Sequence, residues 1–163
     1  MFDAFLFLTI ISVASCTIVS ASIVLTGSDD ADRRNAAISY ARASLDALLM
    51  STLQDAHYLN DDTPVAMGND TTVEDFLLKE TILISHGNPV EAFEDYNDRI
   101  EEMTRKLLTG AYRFTLRTRL FLDNGHRDLI VIGEPPPQSH YSAYSNYELP
   151  EYSLRIGLVI WFS

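Results

Sequence analysis

The N-terminal segment constrains this chain of 163 residues more than any other feature, because residues Ala4 to Ser28 include no charged side chain. As a helix rising about 1.5 Å per residue, the segment would extend roughly 37 Å, which exceeds the roughly 30 Å hydrocarbon core of a bilayer. One small domain cannot surround such a helix on every side. The segment therefore predicts either a membrane anchor or the inner layer of an assembly.

The residues before this segment are not those of a secretory signal. Met1-Phe2-Asp3 contains no Lys or Arg, whereas a signal peptide has a basic region there and an apolar core of only about 7 to 15 residues. Two interpretations remain open: an uncleaved anchor, or a mature protein that has lost a basic leader. Both predict a single pass through the cell membrane, with the rest of the chain outside the cell.

The charge and the cysteine content restrict the class of partner. The net charge is −11, and Asp3 is the only charged residue among the first 28. An acidic domain lacks the Lys and Arg patches that phosphate contacts require, so nucleic acid is not expected as a partner. Cys16 is the only cysteine, which excludes an intramolecular disulfide and a site with several thiolates. Asn69-Asp70-Thr71 is a sequon that predicts an N-glycosylation site.

Small residues recur inside the uncharged segment at a spacing of four. Ser12, Cys16 and Ser20 form the pattern that allows two helices in lipid to approach closely. In the alternative interpretation, the serine hydroxyls bond to carbonyls of their own helix. We expect the three residues to lie on contact faces between copies of the chain.

The hydrophobic pattern continues beyond the uncharged segment. Apolar or small residues advance in steps of three and four, as on an amphipathic helix: Ile38, Ala41, Leu45, Leu48, Thr52, Ala56 and Leu59. The pattern predicts one N-terminal helix of about 55 residues, reaching about Tyr58, that is apolar in its first half and one-sided in its second.

The remaining residues predict a globular domain of two helices and an antiparallel sheet. A polar loop is expected at 60–70, a helix at 73–85 with Thr72 as its N-cap, and a helix at 90–108 followed by Gly110 as a C-terminal cap. Strands are expected at 112–122, 129–132 and 152–162, with a turn at 123–125 and a Tyr-rich loop after Pro135–Pro137. The fold class is α+β, divided into 1–28, 29–59 and 60–163.

No group of residues predicts catalysis. The four histidines are scattered, and none has a metal-ligand spacing with another His or with Cys. A phosphate-binding glycine loop and a nucleophile elbow are also absent from the sequence. Acidic residues between 91 and 102 are expected to form the hydrated face of a helix. The chain is therefore not predicted to be an enzyme, and no cofactor or metal ion is expected.

Three arginines alternate along the predicted strand 112–122 and so share one of its faces: Arg113, Arg117 and Arg119. Arg155 joins them if the last strand pairs alongside. Two interpretations stay open: a patch that meets the acidic face of a neighbouring copy, or pairing with carboxylates of the preceding helix. The Tyr-rich loop likewise allows either an interface or burial against its own domain.

A long N-terminal helix, apolar and then amphipathic, before a small domain that ends in antiparallel strands, resembles the type IV pilin and pseudopilin superfamily. Met1-Phe2-Asp3-Ala4-Phe5-Leu6 is similar in character to the start of a mature pilin. The resemblance lies mainly in residues 1–58, and the acidic composition and Ser-rich helix are similar to those of archaeal members.

The resemblance implies a structural subunit of an extracellular pilus-like filament, which polymerises through its N-terminal helix with other copies of itself. Before assembly, the apolar half would lie in the membrane. The resemblance also implies that Asp3 neutralises the N-terminal amine of an adjacent subunit. The alternative function is that of a single-pass membrane-anchored accessory or binding protein in an envelope complex that is not filamentous.

Overall fold

A computed structural model describes residues 30–60, 63–68, 70–122, 125–148 and 152–163. Within these ranges lie three α-helices, a short 3₁₀ helix (Val90–Phe93) and two antiparallel sheets. The helices are α1 (Asp30–Leu49), α2 (Val73–Ser85) and α3 (Glu94–Leu107). The strands are β1 (Ala56–Asn60), β2 (Thr63–Gly68), β3 (Tyr112–Leu122), β4 (Gly125–Gly133), β5 (Tyr141–Glu148) and β6 (Ser153–Phe162).

The larger sheet has the strand order β4-β3-β6-β5. Leu116 in β3 lies opposite Ile132 of β4 and Leu158 of β6, and all three side chains are buried. Because side chains alternate along a strand, the residues that share a face with Leu116 form one continuous apolar surface. This surface is the inner face of the sheet, and it carries most of the core of the domain.

The three helices cover the inner face and make a two-layer domain. The α1 helix packs against β5 and β6, and α2 and α3 pack against β4. Positions spaced by three or four along α1 are fully or almost fully buried, which is the pattern of a helix with one side on a core. They are Ala37, Tyr40, Ala41, Leu45 and Leu48.

Tyr40 joins α1 to the connection between α3 and β3. Its hydroxyl accepts a hydrogen bond from the Thr109 amide at 2.9 Å and donates to the Leu107 carbonyl at 3.3 Å. Its ring lies 5.1 Å, centroid to centroid, from the ring of Tyr112 at the start of β3. A single buried side chain of α1 therefore fixes both the end of α3 and the beginning of the central strand.

The predicted N-terminal helix that continues to about Tyr58 is wrong in its described half, and its apolar half lies outside the described residues. Within the described residues α1 ends at Leu49, and Ala56–Asn60 is a strand that pairs with β2. The backbone between them pairs across the domain: the Leu53 amide donates to Thr71, and the Val73 amide donates to Ser51. The chain leaves the helix because these distant hydrogen bonds replace the helical ones. No described helix has the length and apolar character needed to cross a bilayer.

Other sequence predictions had mixed outcomes. Thr72 caps α2 as expected, with its hydroxyl accepting from the Asp75 amide at 3.1 Å. The predicted pairing of 112–122 with 129–133 is confirmed. The polar loop expected at 60–70 is wrong for residues 60 and 63–68, which belong to the β1–β2 hairpin. Gly110 is not the cap of α3, since Leu108 occupies that position.

Glu80 of α2 is the one fully buried carboxyl group among the described residues. Burial raises its pKa to about 8, although a hydrogen bond from Asn97 opposes the shift. That bond runs from Asn97 Nδ2 to Glu80 Oε1 at 2.7 Å and joins α2 to α3. Glu80 is therefore largely protonated at neutral pH, and its neutral form belongs to the packing of the two helices.

Glu80→Gln is expected to stabilise the protein increasingly as the pH rises. The unfolded chain loses this proton near pH 4.5, whereas the folded chain holds it to about pH 8. Stability contributed by neutral Glu80 is therefore complete below pH 4.5 and falls as the pH rises towards 8, by up to about 1.4 kcal/mol per pH unit. Glutamine keeps the shape and the acceptor for Asn97 but cannot ionise.

The measurement is the free energy of unfolding by urea at pH 5, 6.5 and 8 for the parent and the variant. The gap between them should widen across this range. Glu102→Gln is the matched control, because Glu102 is exposed and paired with Lys106 on the surface. A Glu80→Gln variant whose stability follows the parent at all three pH values would contradict the assignment.

Candidate interaction surface on the outer face of the sheet

The outer face of the sheet, opposite the helices, carries the arginines that the sequence predicts on one side of a strand. Arg113, Arg117 and Arg119 alternate with the buried residues of β3. The strand β6 pairs with β3 and places Arg155 directly opposite Arg119. Four arginines therefore lie on one face.

The connection from β4 to β5 separates Arg113 from the other three. Because β4 and β5 lie at opposite edges of the sheet, residues 134–140 have to cross it. The crossing starts on the outer face, where the Thr115 hydroxyl donates to the Glu134 carbonyl and Arg113 pairs with the Glu134 carboxylate at 2.6 Å. Val159 and Trp161 point to the same face and are only 0% and 8% exposed. Half of the outer face is thus covered.

The other half carries Arg117, Arg119 and Arg155, which we name the arginine cluster. Arg119 binds Asp128 of β4 with two parallel hydrogen bonds of 2.5 and 2.9 Å. The bond from Arg119 lowers the pKa of Asp128, so this carboxylate stays charged at neutral pH. One of the two interpretations that the sequence leaves open places the partner carboxylates in the preceding helix. In the structure the paired carboxylates belong to β4 and the residue after it: Asp128 pairs with Arg119, and Glu134 pairs with Arg113.

Arg155 is held by uncharged groups. Its guanidinium carbon lies 4.9 Å from the ring centroid of Phe121 and 5.1 Å from that of Tyr144, within the range of cation–π attraction. Its Nε donates to Asn146 Oδ1 at 2.8 Å. In the part of the chain that the structure describes, Arg155 makes no ion pair.

The ring of Tyr144 lies beside the arginine cluster and against Gly157. A Cβ atom at position 157 would come within 2.7 Å of Tyr144 Cδ1 and 2.9 Å of Cε1, so only glycine leaves room for the ring. Burial raises the pKa of Tyr144, but hydrogen bonds to Ser142 and Arg117 and the charge of Arg155 outweigh it and lower the pKa overall. Tyr144 contacts Arg155 and lines the same small depression as Arg117.

The electrostatics of the cluster are unbalanced. Arg119 and Arg155 are direct cross-strand neighbours, and like charges at such positions repel. Asp128 is the only carboxylate paired with the three guanidinium groups in the described ranges. Two positive charges therefore remain on a chain whose net charge is −11. Guanidinium groups bind carboxylates and phosphates in bidentate geometry, so the surface is suited to an anionic partner.

Helix α3 carries the opposite charge on the other layer of the domain. Tyr96, Ile100 and Thr104 are its buried side. The side turned away from the core carries exposed carboxylates at the helix start, namely Glu94, Asp95 and Asp98. We name these three the acidic face of α3. Glu101 and Glu102 further along pair with Arg105 and Lys106, whereas the acidic face makes no ion pair with any described residue.

The other residues singled out in the sequence have different outcomes. The loop expected to hold Tyr141, Tyr144 and Tyr147 is wrong, because these residues form strand β5. The site residues Asp3, Ser12, Cys16, Ser20 and Asn69 lie outside the described residues. Sequence reasoning missed Asp128, Tyr144 and Gly157 as parts of the arginine cluster. A glycine inside the apolar run of β6 was the available signal, since it marks a close approach of another group.

Comparison of the chain with protein-family models, with curated proteins and with solved structures finds no match. The candidate surface therefore rests on the geometry and charge of the residues described above.

Gly157→Ala is expected to destabilise the domain by about 1–3 kcal/mol, because the new methyl group overpacks against the Tyr144 ring. In a Tyr144→Ala background the ring is gone, and the same substitution should cost much less. The measurement is a double-mutant cycle of unfolding free energies. Gly110→Ala is the matched control, since nothing lies within 4 Å of its added Cβ. Equal costs for Gly157→Ala in both backgrounds would contradict the contact.

Proposed function

We propose that the chain is a structural subunit of a cell-surface filament, which it forms with other copies of itself through the uncharged segment Ala4–Ser28. The observation that carries the proposal is the uncharged segment itself, because one small domain cannot bury such a segment on every side. Other copies of the chain can cover it in an assembly. Asp30, the first described residue of α1, follows this segment closely in the sequence.

The chemistry of the described surface suits contact better than catalysis. The candidate surface is built on the arginine cluster, and guanidinium groups stay charged at all working pH values. They are therefore poor proton donors and acceptors but strong partners for carboxylates. This property supports a role in which the domain contacts other protein surfaces.

The second candidate function is a single-pass membrane-anchored accessory or binding protein in an envelope complex that is not filamentous. The surplus positive charge of the arginine cluster favours this second function, because an acidic partner protein can bind the guanidinium groups that have no carboxylate partner among the described residues. Both functions place the domain outside the cell, and they differ in whether the uncharged segment joins copies into a continuous assembly.

Electron microscopy of the full chain, extracted from the membranes of cells that produce it, separates the two functions. The filament proposal predicts helical filaments of regular diameter. Discrete particles of fixed size in detergent, under conditions that keep the domain folded, would contradict it and favour the accessory protein.

Asp3→Asn is expected to lower filament yield while leaving the protein in the membrane fraction. A carboxylate beside an apolar segment needs a cation, and the first basic residue after Asp3 is Arg33. The N-terminal amine of an adjacent copy can supply the charge, as the resemblance to pilins implies. Asp3→Glu keeps the charge and should assemble as the parent does. Filament yield is measured by sedimentation, and equal yield of Asp3→Asn and the parent would refute amine pairing.

A further inference from the structure

We infer that the arginine cluster of one copy binds the acidic face of α3 of the next copy, so that the domains stack front to back. The inference rests on the proposed function in one respect: the uncharged segment brings many copies together in one layer, which raises their effective concentration. Beyond the proposed function, the inference specifies the contact between neighbouring domains, the residues on each side of it and the direction in which the domains stack.

The cluster has the properties of a surface prepared for carboxylates. Arg119 and Arg155 lie opposite each other, and their repulsion is offset only in part by Asp128. Arg155 is held in place by Asn146 and by two aromatic rings, and Arg117 lines the same small depression as Arg155 and Tyr144. Side chains that are already ordered lose little entropy on binding a partner. A further carboxylate would relieve the repulsion at little cost.

The acidic face of α3 has a spacing that fits the cluster. Glu94 and Asp98 lie one helical turn apart, which places their Cβ atoms roughly 5–6 Å from each other. Directly opposite residues on antiparallel strands, such as Arg119 and Arg155, have Cβ atoms about 4.5–5.5 Å apart. Two carboxylates on one side of α3 can therefore meet two guanidinium groups at once, and Asp95 adds a third negative charge beside them.

The positions of the two surfaces determine the kind of assembly. The cluster lies on the outer face of the sheet, and α3 lies in the helix layer on the inner face. A domain cannot bring its own two surfaces together, because the sheet separates them. Contact between different surfaces of two copies is heterologous, so each copy keeps one surface of each kind open for the next. Such a contact continues from copy to copy, into an open stack or a closed ring, whereas a two-fold contact would stop at a dimer.

Charge complementarity identifies a second copy as the partner. The chain carries a net charge of −11, so copies held side by side repel one another unless a local attraction opposes it. The arginine cluster and the acidic face of α3 are unneutralised surfaces of opposite sign within the described residues. Their contact replaces repulsion by attraction at the place where the domains meet.

A reciprocal charge exchange tests the inference on the full chain in detergent. Variant A carries Arg117→Glu and Arg155→Glu, and variant B carries Glu94→Lys, Asp95→Lys and Asp98→Lys. Self-association is measured by sedimentation velocity at low salt, where charges are screened least. Each variant alone should associate about tenfold or more weakly than the parent, since like charges would then face each other. An equal mixture of A and B should regain association, because the reversed cluster of A then meets the reversed α3 face of B. The unchanged cluster of B likewise meets the unchanged α3 face of A.

The matched control is Arg33→Glu with Arg34→Glu, which changes the net charge as variant A does but alters exposed arginines of α1, away from the cluster. It should associate like the parent. Recovery in the mixture also shows that both variants are folded, and thermal unfolding of each checks this independently. Association of A or B equal to that of the parent overturns the inference. Loss without recovery in the mixture of folded variants overturns it as well, because the cluster would then bind something other than α3.

The result can be separated from that of the proposed function. If filaments form but variants A and B assemble normally, the inference fails and the filament subunit stands. If the parent gives only small particles whose association follows the charge exchange, the filament proposal fails and the contact between domains stands.

Discussion

The packing of α1 on the inner face of the sheet is the interaction on which the rest of the structure depends. Tyr40 is central to this packing, because its side chain contacts Tyr112 and forms hydrogen bonds with the backbone at Leu107 and Thr109. The end of α3 and the start of β3 are thereby placed relative to α1. Since β3 is the strand on which β4 and β6 pair, the position of α1 is coupled to the whole sheet. The helix that follows the uncharged segment is thus part of the core and not an appendage.

The outer face of the sheet is available for contact because the helices cover only the inner face. With all three helices on one side, the sheet exposes its other side, and the β4–β5 connection covers only the half that carries Thr115 and Val159. The uncovered half carries the arginine cluster, because alternation along β3 that points Leu116 and Leu120 inward points Arg117 and Arg119 outward. Apolar burial on one face and cationic surplus on the other therefore follow from the same strand pattern.

The sequence predicts the elements whose signals are local. Strand β3 is recognised by its alternation, α2 by the capping residue Thr72 and the hairpin between β3 and β4 by Asp123-Asn124-Gly125. The end of α1 could not be predicted in this way. The steps of three and four continue through Thr52 and Ala56, but Ser51 and Leu53 form hydrogen bonds with Thr71 and Val73, which lie about twenty residues further along the chain. Tertiary pairing overrides a helical pattern here.

The residues of the candidate surface also fall into two groups, those that the sequence predicts and those that it does not. The common face of Arg117 and Arg119 follows from their spacing alone, so the sequence predicts it. The other members of the surface come from three different strands: Asp128 from β4, Tyr144 from β5 and Gly157 from β6. Their roles depend on the strand order and register, which no local sequence pattern determines. The same is true of Glu80, whose burial depends on how α2 and α3 meet.

Disulfide trapping between copies tests the central claim most directly. In a Cys16→Ser background, Val131→Cys places a thiol on the exposed outer face beside Arg117, and Asp95→Cys places one on α3. Cysteines can be bridged only when their Cα atoms come within about 7 Å. Front-to-back stacking predicts that full chains carrying both substitutions give a ladder of disulfide-linked multimers, and that neither substitution alone gives a linked product. A dimer from either single variant, or no ladder from the double variant, would contradict it.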